Sequence, residues 1–384
     1  MLSNTLQEGK SILKATEFNE FQTLKDRWND SLSKSLNNDV FSTWEWLSTW
    51  WKHFGEGKRL VILLIEDKNK TLAIAPFMYS KHSFLSFGNL KKISFVGSPE
   101  SDYTGFILRE KKRKFLELFF DYLNGHIDWD YLELKDIPET SASADLLRRI
   151  PLEKQYEHWD ERVCNLCPYV LLPSSMDVFM KELGRSMRRN LRRYLRKLKK
   201  EYRVELKKYN EIGSVKEAME TFIRLHQKRW KSKGEPGGFN NPFFRNFHID
   251  VAKCFAEKGW LGLYFLTAND EPISAEYNFE YNEKNYNYLP GWDVEYSQYR
   301  VGQLIQMHII EDCIQKGLKE YDMMRGDEPY KSEWTTLARK NLEVRFVRKG
   351  TFPRIYNWLI KKAAFDNLTL KLRLSLKLCT HNEK

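Results

Sequence analysis

The sequence predicts an α+β fold in two domains, each a mixed, mostly antiparallel sheet flanked by helices. Three observations lead there. At 384 residues the chain exceeds one ordinary domain and suits two of about 150–200 residues. Its residues are 42% hydrophobic, with aromatics at 14%, and 30% charged with both signs mixed; that supplies cores and a solvated surface and excludes a disordered chain. Strand and helix periodicities also follow the same order in both halves: a helix pair, strands joined by short turns, a helix, then a strand reading WDYLEL in one half and KEYDMM in the other. This shared order suggests a duplication, with residues 1–158 and 159–384 as the two domains.

In the first half, EFNEFQTLKDRWNDSL predicts a helix, and FSTWEWLSTWWKHFG a second with Phe41, Trp44, Leu47, Trp50 and Trp51 on a helical period. RLVILLIED and TLAIAPFMYS read as strands around a polar turn, and FLSFGNLKKISFVGS as two shorter ones. After the polar loop PESDYTGFIL comes the helix EKKRKFLELFFDYLNG, closed by Gly125, the strand WDYLELKDIP, and a helix entered through Thr140 or Ser141. In the second half RVCNLCPYVLLP reads as a strand, SSMDVFMKELG and RSMRRNLRRYLRKLKKEY as helices, and RVELKKYN as a strand. A long helix to Gly234, a Gly/Pro/Asn loop and the helix FRNFHIDVAKCFAEKG follow. Three strands turn at Asn269-Asp270 and Asn282-Glu283, and VGQLIQMHIIEDCIQKG is a helix ending at Gly317 before LKEYDMM. Residues 367–378, LTLKLRLSLKL in the main, fit a strand by alternation and a helix by propensity, and both readings stand.

No apolar run approaches the ~18 residues that span a bilayer. The N-terminus lacks a basic start followed by an apolar block, so the cytoplasm is the expected location. Five scattered cysteines argue against a disulfide framework. Cys164 and Cys167 form a C-x-x-C without a second ligand pair, so small buried side chains are expected there and no metal is assigned.

The net charge of +11 is concentrated. Lys181 to Lys208 holds thirteen Lys/Arg against three Asp/Glu. Within it, helix 185–200 carries an apolar stripe of Met187, Leu191, Tyr194, Leu195 and Leu198 and covers its remaining faces with cations. Such a helix docks by its stripe and presents charge to an anionic partner: a membrane surface, RNA, or the phosphates of a cofactor or sugar nucleotide.

The strand ending at Pro290-Gly291 leads through a loop to Arg300-Val301-Gly302-Gln303, where a helix begins. Helix starts present free N–H groups and partial positive charge, so a pyrophosphate fits there, and Gly302 lets it approach the backbone. The stretch YDMMRGDEPYKSEW then packs an arginine, two acids, a tyrosine and a lysine onto one turn.

On these residues the second half resembles a GCN5-related N-acetyltransferase (GNAT) domain. FSTWEWLSTWWKHFG, SDYTGFIL, WDYLELKDIP, SMRRNLRRYLRKLKK and above all YDMMRGDEPYKSEW resemble, more narrowly, the CelD-like group associated with cellulose and exopolysaccharide synthesis. That group is related to Fem-type aminoacyl transferases, which carry two GNAT-like domains. The resemblance implies an acyltransferase that takes acetyl-CoA or another acyl-CoA as co-substrate, uses no metal, and acts on a small-molecule or saccharide acceptor, a sugar or cell-envelope polysaccharide precursor. Arg300, Val301, Gly302 and Gln303 would hold the pyrophosphate, with Gln303 standing where such domains usually have a small residue. The first half would be a degenerate copy without a cofactor.

Acyl transfer from a thioester needs a base for the nucleophile's proton and an acid for the departing thiolate. Asp327 or Glu328 is a candidate base and Tyr330 a candidate acid. Glu276, on a central strand, is a second candidate base, as the resemblance implies. Arg325 and Lys331 could hold substrate or neutralise charge, with Trp334 beside them. Asp102 and Tyr103 match the group's pattern and could reach a cleft between the domains. Two other functions compete: Fem-type transfer from aminoacyl-tRNA, and a non-catalytic GNAT-fold component of a polysaccharide synthesis complex.

Overall fold

The computed structural model describes residues 2–5, 10–68, 70–83, 89–150, 156–209 and 212–349; stretch 367–378 lies outside them. The first half contains β1 (Leu2–Thr5), β2 (Lys10–Ala15), α1 (Phe18–Gln22), α2 (Lys25–Ser33), α3 (Trp44–Phe54) and β3 (Lys58–Asp67). It continues with β4 (Lys70–Ser83), β5 (Asn89–Phe95), β6 (Ile107–Leu108), α4 (Arg113–His126), β7 (Tyr131–Pro138) and α5 (Ala142–Leu147). Then come β8 (Tyr156–Leu171), α6 (Met176–Glu182), α7 (Arg185–Glu201), β9 (Val204–Lys208), α8 (Val215–Lys231) and α9 (Pro242–Glu257). The chain closes with β10 (Leu261–Ala268), β11 (Glu271–Tyr281), β12 (Lys284–Trp292), α10 (Val301–Gln315), β13 (Glu320–Asp322) and β14 (Ala338–Arg348).

The α+β architecture is present, with a difference: the described strands join into one mixed sheet, ordered β1-β2-β3-β4-β5-β7-β14-β8-β13-β12-β11-β10-β9, with β6 beside β4. Each half builds the same unit. In the first, β3, β4 and β5 form an antiparallel meander, α4 crosses over, and β7 returns parallel to β5. In the second, β10, β11 and β12 form the meander, α10 crosses, and β13 returns parallel to β12. The strand after each unit is then exchanged. β8 follows the first unit but pairs through its end with β13, while β14 follows the second and pairs with β7. The two exchanged strands also pair with each other over most of their length. Residue 158, where the two-domain reading divides the chain, therefore falls inside β8.

β14 did not emerge from the sequence because its inward and outward faces both carry structure. Leu342, Val344 and Phe346 are buried against the first half's core, while Glu343 and Arg345 are buried on the other face. There Arg345 binds Glu133 at 2.7 Å and Arg162 binds Glu343 at 2.8 Å. Two other differences are local. The helix expected over 17–32 breaks at Thr23, whose hydroxyl donates to the Glu20 carbonyl at 2.8 Å, a back-bond that competes with helix continuation. Helix α4 runs through Gly125 to His126 rather than ending at it.

A shared aromatic core ties the halves together. Trp46 of α3 meets Phe247 of α9 at 5.0 Å and Phe279 of β11 at 5.7 Å, both edge-on, the arrangement that ring quadrupoles favour. The basic helix α7 docks as its stripe demands: Met187, Leu191 and Leu198 are buried with α10's Val301, Leu304 and Ile305, and Tyr194 and Leu195 are half-buried. Cys164 and Cys167 are free thiols, and burial pushes both above the usual thiol range, Cys164 to about 11.

Candidate active site

A gap opens in the sheet where β12 and β13 part. They pair over only three residues, Lys284–Tyr286 against Glu320–Asp322. Beyond Asp322 the chain belongs to β8, with the Met323 N–H on the Pro168 carbonyl at 2.9 Å, whereas β12 runs on to Trp292. A register shift between β11 and β12 at Tyr277/Asn278 bends β12 further. Gly291 lets α8 lie against the strand, since a Cβ there would come within 2.6 Å of the His226 amide nitrogen. The resulting cavity of about 420 Å³ is lined by residues of α8, β11, β12, the start of α10 and the turn 328–330.

Its floor is the mouth of α10. Arg300 stands before the helix at φ 53°, ψ 44°, a left-handed conformation costly for a residue with a Cβ and found where the surroundings enforce it. Among the described residues no side chain caps the helix. Its first internal bonds run from Gln303 and Leu304 N–H to the Arg300 carbonyl, which leaves Val301 and Gly302 N–H without a backbone acceptor among the described residues. Arg300, Val301, Gly302 and Gln303 all line the cavity, as do the cations Arg229 and Lys233. The Arg229 guanidinium stacks 4.1 Å from the Trp292 ring centre. Anion-seeking N–H groups and three cations thus converge on one mouth.

Gly302 faces this space. A Cβ there would meet only the Trp292 ring, at 3.5 Å, an ordinary contact, so the protein itself does not require glycine. Gly302→Ala is therefore expected to keep or slightly raise the melting temperature, since alanine favours helix by up to about 1 kcal/mol. A ligand lying on the backbone would lose affinity by about tenfold, one methyl-sized clash. Calorimetry and a thermal melt on the same sample check both halves of that expectation.

Opposite the mouth stands Glu276 of β11, buried to 1% exposure. Its Oε2 accepts from Asn287 Nδ2 at 2.6 Å, and Asn287 in turn accepts from Gln306 Nε2 of α10 at 3.5 Å. Burial pushes the Glu276 carboxyl up to about 8, against the opposing pull of Asn287 and the Arg229 charge. Tyr330 lines the same cavity; burial, then the Glu276 and Glu328 carboxylates, push its hydroxyl above the usual phenol range, so it stays protonated. Glu328 lines the rim and also sits 2.9 Å from Lys331 Nζ. The buried Gln306 Oε1 is left without a partner among the described residues. The cavity therefore holds a carboxyl that titrates near neutrality, a protonated hydroxyl and an anion-binding floor.

The other residues expected at the site lie elsewhere. Asp327 is exposed and does not line the cavity. Lys331 is buried at 3% exposure and donates to the carbonyls of Met324, Arg325 and Gly326 at 3.1, 2.8 and 3.3 Å, so it holds the turn rather than substrate. Arg325 turns toward the first half, with Nε 3.0 Å from Asp102 Oδ1 and Nη1 3.5 Å from Asp136. Asp102 also accepts the Arg325 amide at 3.0 Å. Tyr103 donates to Asp322 at 2.7 Å and lines a separate cavity of about 360 Å³ at the seam, with Asp39, Tyr286 and Arg339. Trp334 is buried and stacks on Phe179. In the first half, Ser101, Tyr103, Thr104 and Gly105 line only a small void of about 10 Å³, beside Pro76, Phe95 and Val96.

Arg229, Trp292, Asn287 and Gln306 are cavity or supporting residues that the sequence reading missed. A signal existed for Asn287: with Asn278 and Asn285 it sits at a buried position of aromatic-rich strands. A buried amide in such a strand marks a hydrogen-bond ladder and hence a polar spot in the core.

Residues 185–332, which contain α7 to the turn, match the family described as an acetyltransferase (GNAT) domain. No curated protein matches in sequence. Among solved structures, FemX superposes with a TM-score of 0.61 at 11% identity, covering 83% of this chain and 95% of its own. L-PGS from Bacillus licheniformis gives 0.53 at 10%, covering 88% and 95%. A protein of unknown function from Bacteroides thetaiotaomicron gives 0.52 at 11%, covering 87% and 100%. At these identities the fold is what is shared. Residues 185–332 are thus similar to an acetyltransferase (GNAT) domain, within a fold that structures such as FemX share along most of their length.

Proposed function

We propose that the protein is an acyl-CoA-dependent acyltransferase that modifies an amino or hydroxyl group of a sugar or cell-envelope polysaccharide precursor. One observation carries the reading: Glu276, Tyr330 and the uncapped start of α10 line a single cavity. The residues fit an acyl-CoA, because free N–H groups and Arg300, Arg229 and Lys233 suit a pyrophosphate, and an alanine Cβ at Gly302 would occupy part of the approach. Acyl-CoA supplies the activated thioester carbon. Ionised Glu276 takes the proton from the acceptor's amine or hydroxyl as that atom attacks. Tyr330 O–H donates its proton to the departing sulfur, and Asn287 and Gln306 fix the carboxyl's orientation. The narrower resemblance of YDMMRGDEPYKSEW to the CelD-like group supports the saccharide acceptor.

A second donor is favoured by one feature. The charge of α7 lies beside the mouth, with Tyr194 hydrogen-bonded to Arg193 and Arg300, which lower its pKa; that suits an aminoacyl-tRNA. Titration calorimetry separates the two. The acyl-CoA reading expects saturable binding of acetyl-CoA, weakened in Gly302→Ala, and no preference for charged over uncharged tRNA. Tight binding of charged tRNA without acetyl-CoA binding supports the second donor, and binding of neither supports a non-catalytic component.

A further inference from the structure

Helix α7 carries nine Lys and Arg residues between Arg185 and Lys200. Among the described residues, none of the nine has a carboxylate within 4.0 Å. Elsewhere on the surface cations are routinely matched: Lys91 with Asp128, Arg148 with Glu161, Arg203 with Asp270 and Lys316 with Asp312 are examples. Folding buries this helix's apolar stripe and leaves its cations without a carboxylate partner among the described residues.

The start of the same helix borders an apolar depression. A groove of about 500 Å³ runs between the end of β8, α6 and the segment after the turn; Leu183 and Gly184, immediately before α7, form one wall. Leu171 and Leu337 line it while 58% and 41% exposed, and Val178, next to the groove's Phe179, is 39% exposed. Its two acids do not change its character: Glu333 is bound by Gln303 at 2.7 Å, which leaves Glu182 on the rim. Large exposed apolar side chains gathered in one place mark an interaction surface.

We propose that α7 and this groove form one docking surface for an anionic bilayer, with the arginines on lipid phosphates and Leu171 and Leu337 inserted at the headgroup–chain boundary. Polybasic segments next to apolar anchors bind such surfaces because each contributes separately to the attraction. RNA accounts for the cations but leaves the exposed leucines unexplained. The segment 328–334 separates the groove from the active-site cavity, Glu328 to Tyr330 lining one and Ser332 to Trp334 the other. A docked enzyme would thus meet acceptors anchored in the membrane. The surface does not depend on which donor occupies the cavity.

Sedimentation with vesicles tests it, using phosphatidylcholine alone and phosphatidylcholine with about a third phosphatidylglycerol. The wild type is expected to bind the anionic vesicles only, with affinity falling at least tenfold as salt rises from about 0.1 M to about 0.5 M. Arg189→Ser/Arg192→Ser/Arg196→Ser and Leu171→Ser/Leu337→Ser should each lose about tenfold, because charge and insertion act together. Thermal melts show whether each variant is folded. Equal binding to neutral vesicles overturns the proposal, as does unchanged binding in either folded variant. Tight, salt-sensitive binding to RNA without vesicle binding overturns it in favour of a nucleic-acid partner.

Discussion

Glu276→Gln should lower kcat by about 10²- to 10⁴-fold, the usual range for removing a general base, while leaving acetyl-CoA affinity nearly unchanged. Glutamine keeps the shape and can still accept from Asn287 Nδ2, so the fold is preserved. In the wild type, kcat/KM should climb close to tenfold per pH unit below about 8 and level off above it, as Glu276 ionises. Stability runs the other way. The folded carboxyl keeps its proton up to about 8, whereas the unfolded one loses it near 4.5, so the unfolded state binds fewer protons between those values. Wild-type stability then falls with rising pH across that window, by up to about 1.4 kcal/mol per unit from this group. Glu276→Gln removes that slope, and urea unfolding at three pH values shows it. Asp327→Asn is the matched control: the exposed side chain lies outside the cavity, so turnover should not change.

The second large effect is expected far from the chemistry. Asp102→Ala should destabilise the protein by about 2 kcal/mol, because it removes the buried carboxylate that holds both the Arg325 guanidinium and the Arg325 amide. Burial pushes the Asp102 carboxyl up and the Arg325 charge pulls it back, so the two side chains depend on one another. Asp136, 3.5 Å from Arg325, offers only partial replacement. Since the Arg325 amide also rests on Asp102, the turn carrying Glu328 and Tyr330 should shift, and kcat should fall together with stability. Denaturant unfolding and steady-state rates measured side by side test the linkage. Rates that hold while stability drops would mean that the turn keeps its place without this brace.

Regular elements with one-sided patterns were legible in the sequence. The stripe of α7 gave both the helix and its buried face, and the strand–loop–helix around Arg300 to Gln303 gave the mouth of the cavity. What escaped depends on long-range or local backbone geometry. The Asp102–Arg325 contact joins residues 223 apart in sequence, and no local pattern announces it. Within the turn, Met324 at φ 59° and Gly326 at φ 117° rotate the chain so that Tyr330 lines the cavity while Asp327 faces solvent. Two left-handed residues in three positions cannot be read from RGDEPY alone. β14 escaped because its charged face is buried in an ion-pair network, so burial did not follow polarity.

A crystal soaked with acetyl-CoA, or with a non-hydrolysable analogue, tests the central claim most directly. Pyrophosphate density is expected against the Val301 and Gly302 N–H groups, with the thioester carbon between Glu276 and Tyr330. A nucleotide bound at the seam near Tyr103, or with its sulfur turned away from Glu276, would contradict it.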